Sequence, residues 1–285
     1  MKYESRVAVV TGAGSGIGRA LTHALTAEGA HVAAWDIDEV GLEATSAACP
    51  PGLVTAYKVD VADRDAVLGN AEMVRRDHGP ASLVFNNAGV DLIARLADTS
   101  WADLDWLMGI NIGGMINGSK AFLPQLCESG TIDQPARLVN ISSAFGLISV
   151  PSQGVYSTSK FAVRGFTEAL RQEMVIDRHP VTVHCVHPGV VRTNFATNSR
   201  IPDTDVDPEK TRKLSERAAL TTPEKAARVI IRGMEKNRGR ILVGPDGRVA
   251  AALPRVFGGR YADLVAHAAR VGTAFMDRKS TDDAA

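Results

Sequence analysis

Short apolar runs recur along the chain at Val7–Val10, His31–Trp35, Val54–Val59, Leu83–Phe85, Arg137–Ile141, Val181–Val186 and Arg240–Val243, and the stretches between them are long enough for helices. Strand alternating with helix predicts an α/β fold: a doubly wound parallel sheet of about seven strands with helices on both faces. Past the seventh run, Arg248 to Val271 predicts extra C-terminal helices, with Pro254 and Gly258-Gly259 between the pieces. A chain of 285 residues with 45% apolar content can bury one large core, so 1–285 reads as a single domain. Ligands of such sheets gather at the carboxyl ends of the strands. Thr11, Asp36, Asp60, Asn86, Ser143 and Pro188 each stand just past an apolar run and should therefore converge on one edge.

The first run leads into Thr11-Gly12-Ala13-Gly14-Ser15-Gly16-Ile17-Gly18, after which Arg19 to Glu28 has a helical pattern. Strand, glycine turn and helix make a phosphate cradle: glycines admit a pyrophosphate close to the backbone, and the helix N-terminus offers unpaired N–H groups. A glycine-rich hairpin without ligand is the plainer alternative. The second run ends in Asp36, twenty residues past Gly16, where a carboxylate can accept from ribose hydroxyls and would repel a 2′-phosphate. The spacing here is GxxxGxG rather than GxGxxG.

A second constellation is Tyr156-Ser157-Thr158-Ser159-Lys160, with Ser143 thirteen residues upstream of the tyrosine. Four residues is about one helical turn, so the phenol and the ammonium share a face. Coulomb attraction from the lysine should favour the phenolate and draw the tyrosine pKa down from about 10. A Tyr/Lys pair on a solvated helix is the bland reading of this motif alone.

Taken together, TGAGSGIG, Asn86-Asn87-Ala88-Gly89, Asn111, Ser143, YSTSK and Pro188-Gly189 resemble the short-chain dehydrogenase/reductase family over about residues 6–193. The resemblance implies a Rossmann-type fold binding NAD. Its cofactor-binding residues would be Gly12, Ser15, Gly16, Ile17, Gly18, Asp36, Ile37, Asp60, Val61, Asn87, Ala88, Gly89, Tyr156, Lys160, Pro188, Gly189, Val191 and Thr193. It assigns Tyr156 as general acid/base, Lys160 to the nicotinamide ribose and the tyrosine pKa, Ser143 to the reacting oxygen, and Asn111 to a proton relay through a water on its backbone carbonyl. Asp60 could instead cap the next helix. Asparagine disfavours helix interiors, so Asn111 within the helical stretch Asp103 to Cys127 suggests a local distortion or a polar partner. Ser142 is left to backbone capping. Asp36, with no basic group at Ser15 or Ile37, favours NAD over NADP; Arg19 is the one cation that could reach a 2′-phosphate.

Thirty-two basic and 32 acidic side chains balance, which gives no field for nucleic acid, and no apolar run approaches the roughly 18 residues of a membrane span. Three scattered cysteines suit a reducing cytoplasm. No metal site is expected: His184 and His187 stand three apart on a strand and face opposite ways. Trp101 and Trp106 read as packing. The expected partners are a small-molecule secondary alcohol or ketone and further copies of the chain, as a homodimer or homotetramer. Ala144, Phe145, Leu147, Ile148 and Val150 suggest an apolar pocket wall, and the polar stretch 194–220, with Pro202 and Pro208, a substrate lid. The extension 248–285 could cap the substrate site, reshape an oligomer contact or, through its arginines, meet a membrane surface. The rival reading is a catalytically silent NAD(H)-binding sensor or scaffold, for which a broken Ser/Tyr/Lys set would be expected.

Overall fold

Seven parallel strands form one sheet in the order β3-β2-β1-β4-β5-β6-β7. They are β1 (Val7–Thr11), β2 (His31–Asp36), β3 (Val54–Lys58), β4 (Leu83–Asn86), β5 (Ala136–Ile141), β6 (Val181–Pro188) and β7 (Arg240–Val243). The computed structural model describes residues 1–193, 195, 198–202, 209, 213 and 219–270. Most of the 194–220 stretch expected as a lid, and the tail beyond residue 270, lie outside the described residues.

The sheet order explains the strand sequences. All five residues of β1 and all four of β4 are buried, because strands at the centre are covered on both faces and must be apolar throughout. The edge strand β7 alternates between half-buried and buried positions. Successive side chains feed opposite cores. Ala8 and Val10 meet Leu21 and Leu25 of α1 (Gly16–Ala27) and Ile230 and Met234 of α7 (Pro223–Glu235). Val7 and Val9 meet Val67 and Val74 of α3 (Arg64–His78), Phe122 and Leu126 of α5 (Met115–Ser129), and Leu170 and Met174 of α6 (Gly154–Ile176). Helix α2 (Glu39–Ala47) follows β2. Each of the Val, Leu, Ile, Phe and Met side chains among them, once fully buried, contributes about 1.5–3 kcal/mol relative to exposure.

Three expectations need correction. The helix expected over Asp103 to Cys127 is α4 (Trp101–Met108) and α5, joined by a π-helical turn at Gly109–Gly114 that contains Asn111. The C-terminal helix starts earlier than Arg248: α8 (Gly244–Phe257) leaves β7 directly. Pro254 sits inside α8, and the break falls at Gly258, whose φ of 55° is left-handed; residues 261–270 are helical again, while Val271 lies outside the described residues. Trp101 does not pack but is 82% exposed, whereas Trp106 lies under the Arg200 guanidinium, 3.6 Å from its ring centroid. Among the described residues no helix is long and apolar enough to cross a membrane.

The two β6 histidines are structural. His184 Nδ1 donates to the Arg238 carbonyl (2.8 Å) and His187 Nδ1 to the Ser143 carbonyl (2.9 Å), and burial holds both down to about 4. Unfolding returns each to about 6.5. The unfolded chain therefore binds more protons between those values, and stability is full above about pH 6.5 and falls as pH drops toward 4. Urea titrations should show a loss approaching ~1.4 kcal/mol per pH unit per histidine below pH 6.5, with a shallower slope in His184→Gln. A midpoint unchanged between pH 7 and 5 would refute the assignment.

Candidate active site

The turn between β1 and α1 can be made only by glycine at its key positions. Gly12 and Gly16 have φ of 65° and 50°, and a Cβ on Gly18 would collide with the Gly12 carbonyl oxygen. Ser15 precedes α1 without a side-chain capping bond, so the first amides of the helix remain available to an anion. Asp36 Oδ2 accepts from the Gly14 N–H (2.8 Å) and Oδ1 from the Asp38 N–H (3.1 Å), which fixes the acid at the rim of the turn. Arg19 is turned inward: its guanidinium donates to the Gly14 and Gly41 carbonyls and to Thr45 Oγ1. Ile37 is 65% exposed beside this site. The cradle fits a dinucleotide.

The Thr11 hydroxyl accepts from the Asn87 and Ala88 N–H groups (2.9 Å each), and Asn87 Nδ2 donates to the Thr11 carbonyl (2.9 Å). Asn86 Nδ2 reaches Asn140 Oδ1 (2.8 Å) and Ser119 Oγ (3.0 Å), tying β4 to β5 and α5. Asp60 Oδ1 accepts from Ala62 N–H, but the cap of α3 is Asp63, which accepts from Ala66. Val61 is buried against Gly114, and its carbonyl accepts from Asn117. Thr193 comes across from the end of β6: its methyl carbon lies 3.1 Å from where a Cβ on Gly16 would sit.

Tyr156 and Lys160 start α6 and are both buried, with the ammonium 5.6 Å from the phenol ring centroid and donating to the Ile141 carbonyl (3.3 Å). Ser143 stands beside the phenol, its hydroxyl accepting from the Phe145 N–H (3.1 Å). Ser142 faces away and donates to the Lys160 carbonyl (2.8 Å). Asn111 has both a distortion and polar partners: Oδ1 accepts from Val90 N–H (2.8 Å), and Nδ2 donates to the Val90 carbonyl (3.0 Å) and Ser159 Oγ (3.1 Å). Gly89 is closely packed, since a Cβ there would lie 3.1 Å from Asn111 Oδ1 and 3.2 Å from Lys160 Nζ.

The electrostatics differ from the expectation that lysine lowers the tyrosine pKa. Burial, reinforced by the Asp91 charge, pushes Tyr156 above the ordinary phenol range, against the lowering influence of the nearby Ser143 hydroxyl. Burial likewise lowers Lys160 to about 8, opposed by Asp91 and Cys185. Asp91 was not singled out from the sequence. Its carboxyl is itself raised by burial, with Oδ2 accepting from Ser199 (2.8 Å) and Oδ1 unpartnered. The signal for it was an acid two residues past Gly89. His187, read only as a non-ligand, holds the Ser143 carbonyl.

Residues 6–203 match the short chain dehydrogenase family. SadH of Mycobacterium tuberculosis, named as an oxidoreductase, is 42% identical over 266 residues, covering 93% of this chain and 95% of that protein. The 3-oxoacyl-[acyl-carrier-protein] reductase FabG of Thermotoga maritima is 32% identical over 237 residues, 81% of this chain and 91% of that one. A short chain dehydrogenase/reductase from Burkholderia phymatum solved in complex with NAD superposes with a TM-score of 0.82 at 28% identity, over 90% of this chain and 95% of that one.

Gly18→Ala tests the cradle. The methyl has no space beside the Gly12 carbonyl, so NADH affinity by fluorescence titration should fall at least about tenfold, a cost of 1.4 kcal/mol or more; unchanged affinity would place the nucleotide elsewhere.

Proposed function

The chain belongs to the short-chain dehydrogenase family and is an oxidoreductase of that nicotinamide-using class; on that premise we propose that it is an NAD-dependent enzyme interconverting a secondary alcohol and its ketone, on a fairly hydrophobic substrate. The observation that carries this reading is the burial of Tyr156 and Lys160 on one face of α6, with Ser143 beside the phenol, at the sheet edge that also holds the glycine turn. When bound, NAD(H) supplies the hydride acceptor or donor. Tyr156 takes the hydroxyl proton in oxidation and returns it to the carbonyl oxygen in reduction. Ser143 orients that oxygen and stabilises charge developing on it. Lys160, cationic below about pH 8, holds the nicotinamide ribose and offsets the desolvation that raises the tyrosine. Asn111, in its π-helical turn, keeps the lysine end of the site connected to solvent.

Cofactor choice rests on Asp36 and Arg19. A 2′-phosphate would face the Asp36 carboxylate, and the nearest arginine is already spent on backbone carbonyls and Thr45. The hydrophobic substrate follows from Ala144, Ile148 and Phe145, which pack with Ala250, Leu253 and Tyr261 of the C-terminal segment into an apolar wall beside Ser143. Such an enzyme would work in the cytoplasm as a homodimer or homotetramer, on a small molecule rather than nucleic acid.

Absorbance of the reduced nicotinamide, followed with NAD and NADP over a panel of secondary alcohols and ketones, tests the reading. kcat/KM with NAD should exceed that with NADP by at least about tenfold, and Asp36→Ala should narrow the gap. Tyr156→Phe should lose about 10²–10⁴-fold in kcat with NADH affinity intact. A mutant as active as the parent would remove tyrosine from the chemistry, and tight NAD binding without turnover of any substrate class would favour a silent sensor.

A further inference from the structure

The loop that would face the nicotinamide is held from the C-terminal extension. Asp246, in the first turn of α8, accepts the Val190 N–H on Oδ2 at 2.5 Å. Its carboxyl group lies so close to Gly189 that any Cβ there would collide with it. Around this bond the backbone is packed just as closely. Gly189 N–H donates to the Val243 carbonyl (3.0 Å), Arg192 N–H to the Thr221 carbonyl (2.8 Å), and Val191 pairs with Thr221 in a parallel bridge. A Cβ on Gly247 would stand 3.0 Å from the His187 carbonyl oxygen, and Gly244 takes a left-handed φ of 86° to turn β7 into α8. Asp246 Oδ1 and Thr221 Oγ1 are both buried without a partner, and both lie within 3.0 Å of the point where a Cβ on Gly244 would sit, so this carboxylate oxygen is enclosed.

We infer that Asp246 is a positioning residue for the nicotinamide half of the cofactor. By holding Val190 it sets the stretch Val191 to Thr193, whose far end reaches Gly16 across the site. The inference rests on the proposed NAD-dependent function and assigns part of that function to a segment past the span matched to the family. Neither Asp246 nor Val190 is bonded to Asp36, the acid placed at the adenosine ribose. Loss of the carboxylate should therefore weaken nucleotides that carry nicotinamide and spare those that lack it.

The test is calorimetric titration of NADH and of ADP-ribose, which has both riboses and the pyrophosphate but no nicotinamide. Asp246→Ala should bind NADH at least about tenfold more weakly while ADP-ribose stays within about twofold. Asp246→Asn, whose amide oxygen can still accept from Val190, should restore most of the difference. If the alanine variant does not fold, Asp246→Glu serves: it keeps the charge but drives a longer side chain against Gly189, and should show the same selective loss. Equal loss of both nucleotides, or no loss of either, in a folded variant overturns the inference while leaving the cofactor assignment standing. Failure of the parent protein to bind either nucleotide overturns both.

Discussion

The site depends on the place where strand order reverses. Chain connections run from β1 outward to β2 and β3 on one side and from β4 to β7 on the other, so the loops leaving β1 and β4 part over the sheet and leave a crevice. Keeping that crevice open while joining its walls is the work of Thr11 and Asn87. One hydroxyl accepts two backbone amides, and one side-chain amide returns to the Thr11 carbonyl. These groups are partly or fully buried, and a buried donor left without its acceptor costs about 1–3 kcal/mol, more than a typical satisfied hydrogen bond contributes. Everything proposed for nucleotide binding requires this junction: the glycine turn hangs from one side of it, and Gly89, Asn111 and Lys160 from the other.

Desolvation competes with charge pairing at the catalytic end. Two charges about 5 Å apart interact by roughly 3 kcal/mol at an effective dielectric of 20, while burial of a single ionisable group can move its pKa by 3–5 units, or about 4–7 kcal/mol. Burial therefore outweighs the lysine, and the resting Tyr156 is a neutral phenol, with Asp91 adding to the effect. In the proposed reaction that state would be the proton donor for ketone reduction. Oxidation in that scheme would need a phenolate, for which Lys160 would supply the favourable charge and a bound oxidised nicotinamide would add to it. Asp91, a buried acid joined to Ser199, opposes both.

Elements with strong local rules were legible in the sequence. All seven strands lie within a residue or two of their apolar runs, because central parallel strands must be apolar on both faces. The glycine turn was legible because its backbone admits no other residue, and the Tyr156/Lys160 pair because four-residue spacing puts both on one helix face. The features left open or misread depend on tertiary surroundings. The π-helical turn at Gly109–Gly114 follows from Asn111 bonding Val90 and Ser159, partners 21 and 48 residues away. Trp101 looked like a core residue because tryptophan usually is one, yet it falls on the outer face of α4. The raised phenol depends on burial of Tyr156, reinforced by Asp91, and no local pattern encodes either. Pro254 misled because proline breaks helices by preference, whereas α8 carries it near its C-terminal end.

The C-terminal segment joins two functions that the sequence kept apart. Asp246 and Ala250 are four residues apart in α8, so they stand on one face a turn from each other. The first meets the backbone of Val190, and the second packs with Ala144 and Ile148 beside Ser143. A helix turn is stiff, so a change that shifts α8 to enlarge the apolar wall also moves the carboxylate holding the Gly189-Val190 backbone. On the proposed function, substrate fit and nicotinamide placement would then not be independent. The loop after β6, the wall after β5 and the helix after β7 behave as one mechanical unit, and the strict requirement for no side chain at Gly189 is the point where its tolerance is smallest.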